Sequence, residues 1–185
     1  MRFLPFNEAK ATQAASRLLR LHGDQMNYMK LIKLLYLVDR AALLRWGRPV
    51  TTDRHVSMPR GPVVSNIYNL ILEEPPPGLE SPWHRYISEA QNYTVRLLSD
   101  PGNGKLSLAE EELINEIFQE HGRKNQWALV ELCHALPEWQ DPDGSAIPIK
   151  FGDILRAGDW TETEIAAIED ELTNLATVQM LVSAT

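Results

Sequence analysis

The feature that most constrains this fold is a long apolar run at residues 27–46, with helix signals at both ends. Asn27 can cap the start by accepting a backbone N–H bond, and Gly47 followed by Pro49 ends the helix. Because the run is apolar around most of its circumference, other elements must cover it, and we predict the central buried helix of the domain. Its charged residues exclude a membrane-spanning helix: Lys30, Lys33, Asp39, Arg40 and Arg45.

The charged residues of this helix lie on different faces. Lys30, Lys33 and Arg40 share one stripe, whereas Asp39 lies almost opposite, on the face that we expect to be buried. An unpaired buried carboxylate is costly, so we expect a cationic partner for Asp39 from the following loop. The nearest candidates are Arg54, His55 and Arg60. We favour a structural ion pair, and a catalytic carboxylate is the alternative.

The length and composition are those of one soluble globular domain, with 185 residues, 44% of them apolar and 23% charged. We predict a core at residues 1–158 and an acidic helix at residues 159–185 packed on it. Cys133 is the one cysteine, which excludes a disulfide framework and a zinc site built on cysteines. There is also no secretory signal and no apolar run that could span a membrane, so we predict a cytoplasmic protein.

The net charge of −7 is distributed unevenly along the chain. Residues 1–62 hold 11 Lys and Arg against 4 Asp and Glu, whereas residues 63–185 hold 7 against 21. Either the basic third packs on the acidic remainder, or the surface has two faces of opposite charge. We favour the second arrangement, with part of the charge compensated. An acidic protein binds nucleic acid poorly and suits a basic protein partner, so we expect no nucleic-acid partner.

The remaining segments predict more helices and a little sheet. Helices are predicted at residues 7–21, 63–73, 107–121, 125–135 and 161–178. Pro62 is placed in the first turn of the helix at residues 63–73. A β-hairpin is predicted at residues 84–98, with residues 54–58 as a candidate third strand. The expected fold class is mainly α (α+β), a helical domain around a central buried helix with a small antiparallel sheet or hairpin.

No set of residues points to catalysis. The chain has no nucleophile elbow, phosphate-binding loop or metalloprotease motif, and its histidines lack metal-ligand spacing. Cys133 and His134 are neighbours on a predicted helix, so their side chains point apart and cannot act as a nucleophile and its base. We predict a packed Cys133 and a hydrogen-bonded His134, and we expect no enzyme activity, cofactor or metal.

An ordered series of motifs resembles the SocA-like Panacea antitoxin domain. The matching stretch reads LIKLLYLVDRAALLRWGRPVTTDRHVSMPRGPVVSNIYNLI. The positions that carry the likeness are Lys30, Lys33, Leu34, Leu35, Tyr36, Gly47, Pro49, Asp53, Arg54, Gly61, Pro62, Val63 and Tyr68, and the spacing of His134, Pro137 and Trp139 extends it over most of the chain. Two departures are visible: His55 stands where an aromatic residue is more usual, and Pro59-Arg60 replaces the commoner Lys-Tyr before Gly61.

The resemblance implies an antitoxin that neutralises a cognate protein toxin, encoded by an adjacent gene, through direct contact and without chemistry of its own. One alternative is a proteolytic adaptor that presents the toxin to a protease. Another is an enzyme or nucleotide-binding protein with Asp39, Arg54, His55 and Arg60 in a deep cleft. The oligomeric state stays open.

Two groups of site residues are expected. The candidate partner-binding residues are Arg54, His55, Arg60, Gly61 and Tyr68, near the start of the third helix, together with Glu162 and Glu164 on the acidic last helix. The motif positions with an expected structural role are Lys33, Tyr36, Asp39, Gly47, Pro62 and Trp139.

Overall fold

The computed structural model describes residues 4–75 and 77–183, which form eight helices and five short strands. The helices are α1 (Glu8–Leu21), α2 (Tyr28–Trp46), α3 (Ser65–Leu72), α4 (Pro82–Tyr86), α5 (Leu108–His121), α6 (Gln126–His134), α7 (Phe151–Ala157) and α8 (Glu162–Ser183). The strands are β1 (Gln25–Asn27), β2 (His55–Met58), β3 (Gly61–Val64), β4 (Thr94–Arg96) and β5 (Ile147–Ile149). The predicted fold class, mainly α with a small antiparallel sheet, is confirmed.

Helix α2 is the central element, as predicted. The Asn27 side chain caps it by accepting from the backbone N–H groups of Met29 and Lys30, at 3.0 and 3.3 Å. Gly47 ends it in the left-handed conformation, at φ 71°. Helices α1, α5, α6 and α7 and strand β3 all pack against α2, so its apolar circumference is covered on most sides.

Helix α1 can approach α2 closely because its inner face is made of small residues. Ala11, Ala14 and Ala15 are fully buried, and Leu18 extends this face by one turn. Leu113 and Ile114 of α5 join the same core, since α5 packs on both α1 and α2. Helices α1 and α5 therefore cover part of the apolar surface of α2, as its composition requires.

A second apolar cluster joins the end of α2 to the last two helices. Leu43 of α2, Leu155 of α7 and Ile165 and Leu172 of α8 belong to it. Thr161 caps α8 by accepting from the Glu164 backbone N–H, so the predicted start of this helix is confirmed. The helix runs to Ser183 rather than to about residue 178. The division into a core and an appended acidic helix stays a prediction.

The strands form two small antiparallel sheets. Strand β2 is the middle strand of one sheet, with His55 opposite Val64 of β3 and opposite Ile149 of β5. In the other sheet, β1 pairs with β4, with Met26 opposite Val95.

The predicted place of Pro62 is wrong, because Pro62 lies in strand β3 and helix α3 begins only at Ser65. Strand β3 is an edge strand, where a proline without an N–H group is tolerated. The start of α3 is held instead by Asp53, whose carboxylate accepts from the backbone N–H groups of Asn66 and Ile67, each at 2.9 Å.

The predicted hairpin at residues 84–98 forms only in part. Isolated bridges join Ile87 to Leu97 and Gln91 to Thr94, but residues 82–86 are helix α4. Ser81 caps this helix and Pro82 occupies its first turn, which favours helix over strand. The third-strand prediction is also wrong: residues 54–58 contribute to the other sheet, and β1 pairs with β4.

Ion pairs link the basic first third of the chain to the acidic remainder. Arg17 Nη1 lies 2.5 Å from Glu111 Oε2, and Arg40 Nε lies 2.6 Å from Glu138 Oε1. Further pairs of this kind are Lys10–Glu110, Arg20–Asp100 and Arg45–Glu116. Part of the charge of the basic third is therefore compensated, as expected, and the prediction of two faces of opposite charge stays a prediction.

Replacing Gly47 with alanine tests whether α8 packs on the end of α2. A Cβ atom at Gly47 would lie 2.4 Å from Ile168 Cδ1, whereas one at Gly102 would meet nothing within 4 Å. Both glycines have a similar positive φ, 71° and 73°, so both alanine variants carry comparable backbone strain. We expect Gly47→Ala to lower the free energy of unfolding by about 1–3 kcal/mol more than Gly102→Ala does, measured by urea denaturation. Equal losses would show that Ile168 does not pack on Gly47.

Candidate functional site

A buried hydrogen-bonded cluster centres on Asp39. Its carboxylate accepts from the Thr51 backbone N–H at 2.8 Å, from Thr51 Oγ1 at 2.5 Å and from His55 Nε2 at 3.0 Å. The Asp39 and His55 side chains are fully buried. The predicted burial of Asp39, with a partner from residues 54–60, is therefore confirmed, and the partner is His55. The cluster therefore links α2 to the loop at Thr51 and to strand β2.

His55 also fills the place of an aromatic residue. Its ring packs edge-on against Tyr36, with centroids 5.3 Å apart, and lies 5.4 Å from the ring of Phe151. This packing explains how a histidine replaces the more usual aromatic side chain at this position. His55 is thus inside the core, so the structure does not place this expected partner-binding residue on the surface.

The four residues of the alternative hypothesis, an enzyme or nucleotide-binding protein, do not form one cleft. Asp39 and His55 meet in the core, whereas Arg54 and Arg60 are exposed. The pocket beside Arg60 is lined by neither Asp39 nor His55, and Arg54 does not line it either. Asp39 and His55 therefore have no route through this pocket to a substrate, which favours the structural interpretation of the pair.

A second buried network holds the segment after α6. Tyr36 Oη donates to Glu138 Oε1 at 2.9 Å, and Arg40 Nε donates to the same oxygen at 2.6 Å. Burial, reinforced by Glu138, raises the pKa of Tyr36. The next residue, Trp139, donates from Nε1 to the Met58 carbonyl oxygen at 3.2 Å. Tyr36 and Trp139 thus have contacts of the structural kind expected for them.

Lys33 and Gly61 meet where α2 passes under the turn between β2 and β3. Lys33 is 1% exposed, and its Nζ donates to the Pro62 carbonyl oxygen at 2.7 Å. Burial lowers the pKa of Lys33 to about 8. Gly61 has φ 87°, and a Cβ atom there would lie 3.2 Å from Lys33 Nζ. Glycine at this position therefore serves both the left-handed turn and the close approach of the lysine.

A pocket of about 210 Å³ lies above this contact, and we call it the Lys33 pocket. Its lining combines the motif positions Lys33, Gly61 and Tyr68 with Arg60 and with mainly apolar neighbours. The other lining residues are Tyr28, Met29, Ile32, Met58, Pro59 and Val63. The structure therefore brings together three of the expected partner-binding residues, Arg60, Gly61 and Tyr68, at one place.

Two exposed aromatic side chains lie against residues that line the Lys33 pocket. The Arg60 guanidinium lies over the ring of Trp127, 5.7 Å from its centroid, and Trp127 is 53% exposed. Tyr93 is 66% exposed, and its ring centroid lies 6.1 Å from that of Tyr28. Burial, then the neighbouring Tyr68 and Tyr93, raise the pKa of Tyr28, and Arg60 opposes this shift. We call Tyr28, Arg60, Tyr68, Tyr93 and Trp127 the aromatic rim.

A larger hollow, of about 660 Å³, lies beside α1 and α4. It is lined by charged residues of both signs, including Glu80, Arg85 and Lys105. Its buried amide, Gln13, already donates to the Pro101 carbonyl and accepts from the Lys105 backbone N–H. Because this buried polar group is satisfied within the chain, the hollow is a weaker site candidate than the smaller Lys33 pocket.

The acidic candidates on α8 already have partners within the chain. Glu162 pairs with Arg156 at 2.6 Å, and Glu164 accepts from the Thr161 hydroxyl at 2.7 Å in a capping contact. Both lie on the exposed part of the helix. Each therefore supports local structure, and its negative charge also contributes to the field around α8.

Cys133 and His134 have separate surroundings. Cys133 is fully buried, and burial raises the pKa of its thiol to about 11. The His134 ring stacks on Trp139 with centroids 4.1 Å apart, and its buried Nε2 has no hydrogen-bond partner among the described residues. The packed cysteine is confirmed, whereas His134 is held by stacking and its Nε2 lacks the hydrogen bond that we expected.

Comparison with known families identifies this architecture. A sequence model of the family described as antitoxin SocA-like, Panacea domain, matches residues 31–140, more than half of the 185 residues. The chain belongs to this family. No curated protein and no solved structure matches the Panacea chain significantly. The match includes most of α2, the Asp39 cluster and most of the Lys33 pocket, so the resemblance seen in the motifs is confirmed.

Two searches of the described part of this Panacea chain concern metal-binding groups and membrane-spanning helices. Residues 4–75 and 77–183 hold no group of three or more His, Cys, Asp or Glu side chains that could bind a metal ion. No helix in those same ranges combines the length and apolar character that crossing a membrane requires.

The aromatic rim is the part of this site that sequence reasoning missed. Tyr28, Tyr93 and Trp127 are far apart in the chain and were not linked to the motif positions. Trp127 lies at the start of a short helix, where its exposure depends on how that helix packs. A large aromatic residue on the polar side of a helix indicates a possible contact surface. It does not show which other residues lie beside it in the fold.

Removing the Asp39 carboxylate tests its structural role in the Panacea domain. We expect Asp39→Ala to lower the free energy of unfolding by roughly 3–5 kcal/mol, because it leaves buried donors on Thr51 and His55 without an acceptor. The control is Glu112→Ala, at an exposed helical position, which should change stability by about 0.5 kcal/mol or less. Urea denaturation measures both. An Asp39→Ala protein that unfolds like the parent yet loses function would support a site role instead.

The raised pKa of Cys133 predicts slow alkylation of the folded protein. The thiolate is the reactive form, and at pH 8 a thiol with a pKa of about 11 is about one-thousandth ionised. Iodoacetamide at pH 8 should therefore leave native protein unmodified and label it once in concentrated guanidinium chloride, as measured by intact mass. Because Cys133 is the one cysteine, the mass shift is unambiguous. Rapid labelling of the native protein would contradict the burial of this residue.

Proposed function

We propose that this protein is an antitoxin that neutralises a protein toxin, encoded by an adjacent gene, by binding it directly. Membership of the SocA-like Panacea family over residues 31–140 is the observation that carries this proposal. The buried position of Asp39 and His55 also favours a binding protein over an enzyme, since neither side chain is exposed to a substrate.

We place the contact with the toxin at the aromatic rim and the Lys33 pocket. Tyrosine, tryptophan and arginine are the residues that most often dominate the free energy of protein–protein binding. Here Arg60 lies over the Trp127 ring, and Tyr28 and Tyr68 stand beside it around one concave pocket. A toxin that buries these side chains gains apolar contact and one cationic contact in a small area.

The rim stands on a rigid base, which favours tight binding. The turn between β2 and β3 is held from below by the Lys33 hydrogen bond to Pro62 and from the side by the Trp139 hydrogen bond to Met58. Tyr28 is tied to Tyr93 by a backbone hydrogen bond of 2.8 Å. Side chains on a fixed base lose little entropy when they bind, so more of the contact energy appears as affinity.

The remaining expected residues have subsidiary parts in this proposal. Arg54 is exposed but lies outside the Lys33 pocket, so it is not part of the contact proposed here. Glu162 and Glu164, with the other acidic residues of α8, steer a basic toxin toward the protein and raise the association rate more than the affinity. Localisation in the cytoplasm follows from the proposal, because the toxin is made and neutralised in the same cell.

Charge reversal at Arg60 tests the contact surface. We expect Arg60→Glu to weaken toxin binding by about thirtyfold or more, the effect of losing about 2 kcal/mol at a dominant contact. The matched control is Arg85→Glu, since Arg85 is also exposed and lies 5.5 Å over the ring of Tyr86, away from the rim. Each variant is co-expressed with the neighbouring toxin gene, and growth is scored together with the toxin level.

The co-expression experiment separates the possible results. Full growth rescue by Arg60→Glu would place the contact elsewhere, and failure of the parent protein to rescue growth would remove the antitoxin assignment. Rescue that depends on loss of the toxin, and that disappears in a protease-deficient host, would indicate a proteolytic adaptor. Circular dichroism and thermal unfolding of Arg60→Glu confirm that a lost rescue is not a lost fold.

A further inference from the structure

We propose that the Lys33 pocket receives an acidic side chain of the partner protein, with Lys33 and Arg60 as the cationic groups that recognise its carboxylate. This inference rests on the proposed function, because it names the chemistry by which the toxin would be recognised at that same site. It adds a specific ligand class, a carboxylate on a short apolar stem, to what would otherwise be a general contact surface.

The charges of the pocket favour an anion. Lys33 and Arg60 line it, and no Asp or Glu is among its lining residues. Five other cations of the described first third form ion pairs, as Arg40 does with Glu138, but neither pocket cation has an acidic partner among the described residues. An anion that enters the pocket therefore meets positive charge that the fold has not compensated.

The hydrogen-bonding capacity of Lys33 is also unused in part. An ammonium group has three donors, and the Pro62 carbonyl is the one acceptor that the described residues offer to Lys33 Nζ. Nζ lies next to Gly61, a pocket residue, where a Cβ atom would come within 3.2 Å of it. A buried ammonium with spare donors is costly, and a carboxylate would satisfy both its charge and its donors.

The size and the apolar walls of the pocket favour a ligand whose carboxylate is carried on a short chain of methylene groups. A volume of about 210 Å³ holds a side chain rather than a nucleotide. Met29, Ile32, Met58 and Val63 line its walls, so the ligand must present methylene groups to them. A glutamate side chain, with two methylenes and one carboxylate, fits this division better than a phosphate, which is polar on all sides.

The lowered pKa of Lys33 gives the site a recognisable pH dependence. With a pKa of about 8, Lys33 is mostly charged at pH 7 and mostly neutral at pH 9. Carboxylate binding should therefore weaken as the pH rises from 7 to 9. By linkage, a bound carboxylate favours the charged form and should raise the Lys33 pKa.

The test uses a blocked glutamate, acetylated at its amino group and amidated at its α-carboxyl, as the probe. Titration into ¹⁵N-labelled protein should shift the amide signals of Lys33 and Gly61, with a dissociation constant in the range of about 1–10 mM expected for so small a ligand. Blocked glutamine should bind at least tenfold more weakly. The Lys33 side-chain signals should report a pKa that rises when blocked glutamate is added.

Variants locate the probe. Lys33→Met should abolish the shifts, whereas Lys30→Met should retain them, since Lys30 is buried on the same helix but donates to the Gly122 carbonyl outside the pocket. Arg60→Gln changes an exposed residue and should weaken binding severalfold without unfolding the protein. If Lys33→Met fails to fold, Arg60→Gln and the loss of binding between pH 7 and 9 decide the question.

Several results would overturn the inference. Equal binding of blocked glutamine, tighter binding of inorganic phosphate with the same shifts, or no response to blocked glutamate at tens of millimolar would each do so. The probe needs no toxin, so this result is independent of the growth assay. Rescue of growth without glutamate binding removes only the pocket inference, and glutamate binding without rescue removes only the antitoxin proposal.

Discussion

The burial of α2 is the constraint on which the rest of this structure depends. A helix that is apolar around most of its circumference is stable in water only when other elements cover it, and here four helices and a strand do so. Lys30, Lys33 and Asp39 are then drawn into the interior with it, and Arg40 partly so. Each needs a partner, and Asp39 finds His55 while Arg40 finds Glu138. The polar contacts thus follow from the apolar packing and determine where the following loops run.

The same helix connects the interior to the proposed contact surface. Tyr36 and Asp39 hold buried networks, whereas Lys33, one turn earlier, reaches the floor of a pocket that Arg60 and Tyr68 border. The residues of α2 therefore have two different roles. Its buried members hold the turn between β2 and β3 in place, and that turn presents the groups that a partner would contact.

Local signals predicted well wherever one short segment supplied both the pattern and its partner. The Asn27 cap and the Gly47 stop are examples, because each lies directly beside the end of α2 that it marks. Predictions failed where a distant segment decided the outcome. Strand β4 pairs with β1, far earlier in the chain, and β2 pairs with β5, far later. Pro62 is a different case, because β2 and β3 are neighbours in sequence and pair as a hairpin.

The central helix, the mainly helical class and the need of Asp39 for a partner can all be predicted from the residues. They follow from periodicity, helix-end signals and the cost of burying a charge, which depend on the chain near each residue. The Panacea family is indicated separately, by an ordered motif that resembles it. The folded arrangement was needed to show that His55 is the partner and that Lys33 lies beside Gly61. It also shows that Trp127 lies against Arg60, at the pocket that Tyr28 lines. The reason is physical: such neighbours are set by how whole helices pack, and no local pattern encodes that distance.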